Sequence, residues 1–201
     1  MHYYFGKVKR SEMKDKIPKQ IQNINQLSTE EKRWFAVYTK YKCEKYVADS
    51  LAKKQIEAYV PILTKTKRYS RKIKHYSVPL INCYVFVCIK KEDYLKTLET
   101  EYVMKFLRNG QDLLAIPEIE IETLKRVVGE DIEVKESMRS DWFMGEEVEV
   151  IAGQLAGMRG KIVSKEGKRS FVIDLETIGY QLRIKVDFNL LKPVTDGLLI
   201  A

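Results

Sequence analysis

Between Lys65 and Lys74 the chain places six cationic side chains in ten residues: Lys65, Lys67, Arg68, Arg71, Lys72 and Lys74, with no acid among them. Tyr69 lies within this run and Tyr76 just beyond it. Cations at that density neutralise phosphates, and aromatic rings set between them stack on unpaired bases. A second basic set, Lys40, Lys42, Lys45 and Lys53, leads into a stretch of helical spacing and lines it. Phosphate contacts position a nucleic acid without reading it. Base reading would fall to Ser50, Arg68 or Tyr69, and the spacing does not choose among them. The plainer alternative is a solvated basic hairpin.

No residue pattern offers catalysis. His2 and His75 are the only histidines, one at the terminus and one in the basic segment. Neither sits in a Ser–His–Asp or Cys–His pattern. The glycines follow neither GxxxxGK[ST] nor GxGxxG. Cys43, Cys83 and Cys88 are odd in number and lack CxxC spacing, against a disulfide framework or a zinc site. The expectation is a non-enzymatic protein without cofactor or metal.

The charge is unevenly spread. The 201 residues carry a net charge of +8. Residues 141–201 hold eight basic and nine acidic side chains, leaving 28 and 19 for residues 1–140. The whole positive excess belongs to the first part, which points to a polyanionic partner there. No run of about 18 apolar residues is present to span a membrane, and the N-terminus has no apolar run of signal-peptide length. A cytoplasmic, monomeric protein with no membrane partner is expected.

These groups need elements to hold them. RWFAVYTKY (33–41) crowds aromatics and Val into a buried strand pattern. Residues 44–57 step Val47/Leu51 and Ala48/Ala52/Ile56 by four, a helix stripe. Residues 58–80 read as a strand, a long basic hairpin and a return. INCYVFVCI (81–89) is a second buried strand, apolar on both faces, with Cys83 and Cys88 as small hydrophobes. Residues 90–99 make a short helix, and 103–110 a strand closed by Asn109-Gly110. Residues 116–129 make a helix with Pro117 at its start, acids in its first turns, Lys125 and Arg126 near its end and Gly129 as its stop. The order β-α-β-β-α-β predicts an α+β, ferredoxin-like split βαβ domain.

Residues 1–31 read as a polar, partly disordered extension and 130–140 as a linker. From 141 the period drops to two. Val148 and Val150 alternate with glutamates, Phe171, Ile173 and Leu175 alternate next, and Leu182, Ile184 and Val186 alternate with Gln181, Arg183 and Lys185 on a solvent face. Four or five short strands over 141–194 predict a small SH3-like all-β barrel with a short tail to 201. Gly153, Gly157 and Gly160 would serve positive φ or close chain approach in its first loop. The strict period of two and the glycines predict that this barrel stays β in the free protein. Joined only by its linker, it would leave the first domain's surface open.

The pattern Gly145-x-x-Val148-x-Val150 … Gly153-x-x-x-Gly157-x-x-Gly160-x-Ile162 resembles a KOW motif. Arg33-Trp34-Phe35-Ala36-Val37-Tyr38 opening one strand, with Tyr84-Val85-Phe86-Val87 in the central one, resembles the amino-terminal (NGN) domain of NusG-type transcription factors. The resemblance spans 33–194, with 32–129 as the NGN-like domain and 141–201 as the KOW domain. The stretch Val78–Phe86 is more similar to specialised paralogues of the RfaH and UpxY kinds, since Ile81-Asn82-Cys83-Tyr84 stands where general members have Phe-Pro-Gly-Tyr.

The resemblance implies an antitermination and elongation factor that suppresses pausing, with operon specificity for capsular or surface polysaccharide genes. It implies that Tyr38, Ile81, Tyr84, Phe86 and Phe106 grip the clamp of the largest RNA polymerase subunit, and that the basic sets touch the non-template DNA strand. Rho or a ribosomal protein would be the KOW partner. The competing reading is a KOW-containing RNA-binding or ribosome-associated module.

Overall fold

The computed structural model describes residues 27–70, 72–110, 112–128, 132–136, 145–165 and 168–194. Most of the expected extension, together with His2, Arg71, Gly129 and the 195–201 tail, lies outside them.

Strand β1 (Arg33–Thr39) leads into helix α1 (Glu44–Lys53), then β2 (Glu57–Tyr59). A long hairpin follows, β3 (Ile62–Tyr69) and β4 (Lys72–Pro79), and then β5 (Tyr84–Ile89). Helix α2 (Tyr94–Leu98), entered by a 3-10 turn, precedes β6 (Val103–Phe106). The predicted strand over 103–110 breaks after Phe106. Arg108–Asn109 (β7) and Asp112–Leu113 (β8) pair as a separate tight hairpin about Gly110, whose φ is +67. Next come β9 (Ala115–Ile116) and helix α3 (Glu118–Val127), with Pro117 at its N-cap as expected.

The sheet order is β2-β5-β1-β6, with β9 also on β1, and every pair is antiparallel. That is the second-third-first-fourth order of a split βαβ sheet. Alternation divides its central strands. Phe35, Val37, Val85, Val87 and Ile89 pack with Val47 and Leu51 of α1. Trp34, Ala36 and Phe86 pack with Ile121, Leu124 and Val127 of α3. Each Val, Leu or Phe fully withdrawn this way contributes roughly 1.5–3 kcal/mol relative to exposure. So β5 is apolar on both faces because both faces are covered.

The described residues from Ile132 to Pro193 include the strands of a six-stranded antiparallel sheet. Its strands are β10 (Ile132–Glu136), β11 (Glu146–Val150), β12 (Arg159–Lys165), β13 (Lys168–Leu175), β14 (Tyr180–Ile184) and β15 (Leu191–Pro193). They pair in the order β10-β14-β13-β12-β11-β15. The period of two holds: Val148, Val150, Phe171, Ile173, Leu175, Leu182 and Ile184 are all buried.

Two expectations change. Ile132–Glu136, read as linker, is a strand laid along β14 from Ile132↔Ile184 to Glu136↔Tyr180. The alternation of Ile132 and Val134 with Glu133 and Lys135 is short and set among polar residues, which hid it. Gln181, expected in solvent, is buried and donates to Asp174 Oδ1 at 2.8 Å, the residue opposite it in the ladder.

The loop between β11 and β12 uses its glycines in two ways. Gly153 and Gly157 have φ of +84 and +80. Gly160 instead permits close approach, since a Cβ there would lie 2.5 Å from Val172 O and 2.7 Å from the Phe171 ring.

Candidate partner and nucleic-acid interfaces

Tyr38 and Tyr84 are directly opposed on β1 and β5, with ring centroids 5.5 Å apart in a T-shape. Phe86 and Ile81 share that face of the sheet and are fully buried in its core. Phe106 does not join them. It lies on the opposite face, edge-on to Phe35 at 6.4 Å and stacked on Tyr94 at 5.0 Å. Of the five aromatic and aliphatic candidates, four gather and only Tyr38 is openly exposed. Lys105 Nζ sits 5.8 Å from the Tyr38 ring centroid.

The Ile81–Tyr84 turn contains neither proline nor glycine. Cys83 takes φ +65, a left-handed conformation that favours glycine. Its N–H donates to Glu44 Oε1 at 2.7 Å, and Thr39 N–H donates to its carbonyl at 2.8 Å. Glu44 is buried at the start of α1, so a carboxylate clamps the turn from beneath. The Cys83 thiol is pushed up by burial, and its charge and hydrogen bond raise the Tyr38 hydroxyl in turn.

The face that carries Tyr38 and Tyr84, the expected clamp-binding pocket, is not open. Tyr180 meets Tyr84 edge-on at 6.1 Å, and the apolar side chains of the second sheet and of the first domain's α3 face form one continuous cluster. Polar contacts fix the seam. Arg126 of α3 donates to the carbonyls of Gln154 and Ala156, while Gln154 Nε2 donates back to Arg126 O at 2.6 Å and Val128 O at 3.3 Å. Gln154 thereby takes up carbonyls that the C-terminus of α3 leaves unpaired. Thr177 N–H donates to Glu120 Oε1 at 3.1 Å, and burial pushes the Glu120 carboxyl upward. The second region is β in structure, as expected, but it lies against the pocket face, which was expected to stay open.

The basic run lies on the β3–β4 hairpin, whose distal strands are solvent-exposed. The register puts Lys65 opposite Tyr76, Lys67 opposite Lys74 and Tyr69 opposite Lys72. Directly opposed residues share a face. One face therefore carries four lysines and two tyrosines, and Lys67 Nζ stands 5.3 Å over the Tyr69 ring. The other carries Thr64, Thr66, Arg68, Ile73, His75 and Ser77. His75, expected in a loop, is a strand residue whose Nδ1 lies 2.8 Å from Thr66 Oγ1.

Lys40 and Lys42 occupy the turn from β1 to α1, and Lys45 is exposed on the first turn of α1. β1 and β2 end, and β5 and β6 begin, at one end of the sheet. The hairpin is rooted at that same end, and the turn with Lys40 and Lys42 lies there too. Lys53 does not: it sits at the far end of α1, roughly 15 Å along the axis. The residues missed by sequence reading are Glu44, Tyr41, Tyr46, Glu101 and Tyr102. The Lys-Tyr alternation of 40–46 was a visible signal for two of them. Tyr102 meets Tyr46 only through the fold.

Among the described residues no group of three or more His, Cys, Asp or Glu is placed to hold a metal, and the three cysteines are free. No described helix is long and apolar enough to cross a membrane.

Residues 32–125 match the family model described as transcription termination factor nusG, just under half of the chain. A solved structure titled for domain interaction in Thermotoga maritima NusG is similar, with TM-score 0.53 and 19% identity, covering 84% of this chain and 100% of that one. A conformation of the MjSpt4:Spt5 complex gives 23% identity over 81% of this chain and 98% of that chain, with TM-score 0.30. No curated protein matches in sequence. The first domain of this chain, from the start of β1 to the last turns of α3, is thus similar to the NusG family model in sequence, and the chain is similar in fold to the Thermotoga maritima NusG structure.

Proposed function

We propose that the chain is a non-enzymatic transcription elongation and antitermination factor. It binds the clamp of elongating RNA polymerase through Tyr38, Tyr84 and their neighbours, and the displaced non-template strand through the basic hairpin and the β1–α1 turn. The carrying observation is that one NusG-like domain holds both surfaces at one end of its sheet. The second region is a KOW domain in this reading, supported by the loop glycines and the antiparallel sheet. Its own partner is Rho or a ribosomal protein, and the factor works in the cytoplasm on an operon-specific target, supported by the Ile81–Tyr84 departure.

Because Tyr180 stands on Tyr84, polymerase binding requires the second region to move aside. A factor that favours the closed clamp suppresses pausing by binding that state more tightly.

Co-purification at low salt tests the reading. Polymerase is the expected partner, and Tyr38→Ala and Tyr84→Ala should each reduce its recovery while the melting curve is preserved. Recovery of ribosomal RNA in place of polymerase would support the RNA-binding alternative. Loss of fold without a selective effect on binding would make these tyrosines simple core.

A further inference from the structure

Beside the pocket, three tyrosines stand in solvent without an assigned role: Tyr41 is 61% exposed, Tyr46 49% and Tyr102 37%. They are not loosely placed. Tyr46 and Tyr102 meet in a T-shape with centroids 5.3 Å apart. Tyr46 donates its hydroxyl at 2.7 Å to Oε2 of Glu101, the residue next to Tyr102. The Tyr46 hydroxyl first, then that of Tyr102, holds Glu101 below the usual carboxylate range.

Tyr102 has φ +68 and Lys42 has φ +64, conformations costly for residues with side chains. The Tyr102 carbonyl is pinned by Lys40 N–H at 3.0 Å. Lys40 Nζ lies 5.7 Å from the Tyr102 ring centroid and Lys42 Nζ 5.2 Å from that of Tyr41. Strained backbone persists where its surroundings impose it, often at binding sites. Here it sets aromatic rings beside ammonium groups on an open surface.

We infer that Tyr41, Tyr46 and Tyr102 form a platform on which bases of a single-stranded nucleic acid stack, with Lys40 and Lys42 taking the flanking phosphates and Glu101 fixing the rings. Every base has a π-face, and exposed tyrosines between cations suit unpaired bases rather than paired ones. The platform deepens the proposed function and rests on it, since it assigns base contact to a surface at the sheet end where the basic hairpin is rooted. It also accounts for rings at the β1–α1 end that phosphate neutralisation alone does not use.

Fluorescence anisotropy with the full chain tests this, using labelled 12-mers of deoxythymidine and uridine, an abasic strand of equal length and a duplex. Tyr41→Ala and Tyr46→Ala should each weaken binding of the base-bearing strands by at least about fivefold, the lower end of one stacked base. The salt slope should stay unchanged, because every phosphate keeps its lysine. Abasic and duplex binding should not move. Tyr46→Phe, which keeps the ring and releases Glu101, should weaken binding less than Tyr46→Ala.

Unaltered single-strand affinity in folded Tyr41→Ala and Tyr46→Ala proteins would overturn the platform while leaving the polymerase reading intact. So would an equal weakening on the abasic strand, which would assign the tyrosines to fold or charge. If the unsubstituted chain binds none of the four probes, nucleic-acid contact by this domain fails, and the platform with it. Should Tyr46→Ala unfold, Tyr41→Ala, at the most exposed of the three rings, carries the decision. A difference between the thymidine and uridine strands identifies which nucleic acid the surface prefers.

Discussion

Cys83 holds a left-handed backbone conformation that costs a non-glycine residue about 1–2 kcal/mol. The turn tolerates it because Glu44 receives the Cys83 N–H and Thr39 donates to its carbonyl. Both bonds belong to a corner where Tyr38 and Tyr84 must face each other, so Glu44 positions the pocket without touching a partner. Glu44→Ala should destabilise the first domain by about 1–3 kcal/mol, the cost of leaving a buried donor unpaired. Glu44→Gln, which retains an acceptor, should be destabilised less. Urea unfolding measures both, and equal stability of all three proteins would show that the turn does not depend on this bond. Sequence reading revealed the turn's departure from proline and glycine but not its remedy. Glu44 looked like an ordinary first-turn acid, and its partner lies 39 residues away.

At the scale of elements, the basic run was legible as composition, while its division between two faces was not. The division depends on where the chain reverses, which the Tyr69↔Lys72 pairing fixes, because a one-residue shift of a hairpin's register exchanges its faces. With the reversal fixed, Lys65, Lys67, Lys72 and Lys74 share a face with Tyr69 and Tyr76, and Arg68 stands on the other with His75. Alanine at Lys67, Lys72 and Lys74 should therefore flatten the log–log salt dependence of single-strand binding by roughly 0.7 for each phosphate no longer neutralised. Arg68→Ala should leave the slope nearly unchanged. An equal effect from Arg68 would mean that the strand wraps the hairpin rather than lying on one face. The β-α-β-β-α-β order was readable for a different reason. Each element shows its own period, and Val47/Leu51 on α1 and the doubly apolar β5 mark which surfaces are covered. Phe106 was misplaced for the same reason in reverse. Its strand is short and bulged opposite Tyr38 and Thr39, so pattern alone does not say which face it enters.

Across the whole molecule the seam between the two regions decides whether the Tyr38–Tyr84 pocket is available, and no local pattern announced it. An apolar side chain that packs across a seam reads in sequence like one that packs within its own sheet, and both kinds join one cluster here. Glu120 makes the seam sensitive to proton concentration. Its Oε1 accepts the Thr177 N–H, and burial is the largest cause of its raised pKa, with the Glu176 charge adding to it. The backbone N–H of Thr177 opposes the rise without cancelling it. A carboxyl whose folded value lies above its unfolded one contributes fully below the unfolded value, when it is protonated in both states. That contribution disappears as pH climbs through the folded value, because ionisation then leaves a buried charge beside Glu176. The seam should thus loosen as pH rises above about 4.5, the ordinary value for this group. Glu120→Gln keeps an oxygen for Thr177 but cannot ionise, so its seam should be tighter at neutral pH and nearly flat across the range. Amide exchange at Tyr180 and Gln154 in the full chain, followed from pH 4.5 to 8 and corrected for intrinsic rates, reads the opening directly. Identical pH profiles for the unsubstituted and Glu120→Gln proteins would sink the idea. A flattened profile with slower exchange would make this one carboxyl the group that sets how readily the second region leaves Tyr84.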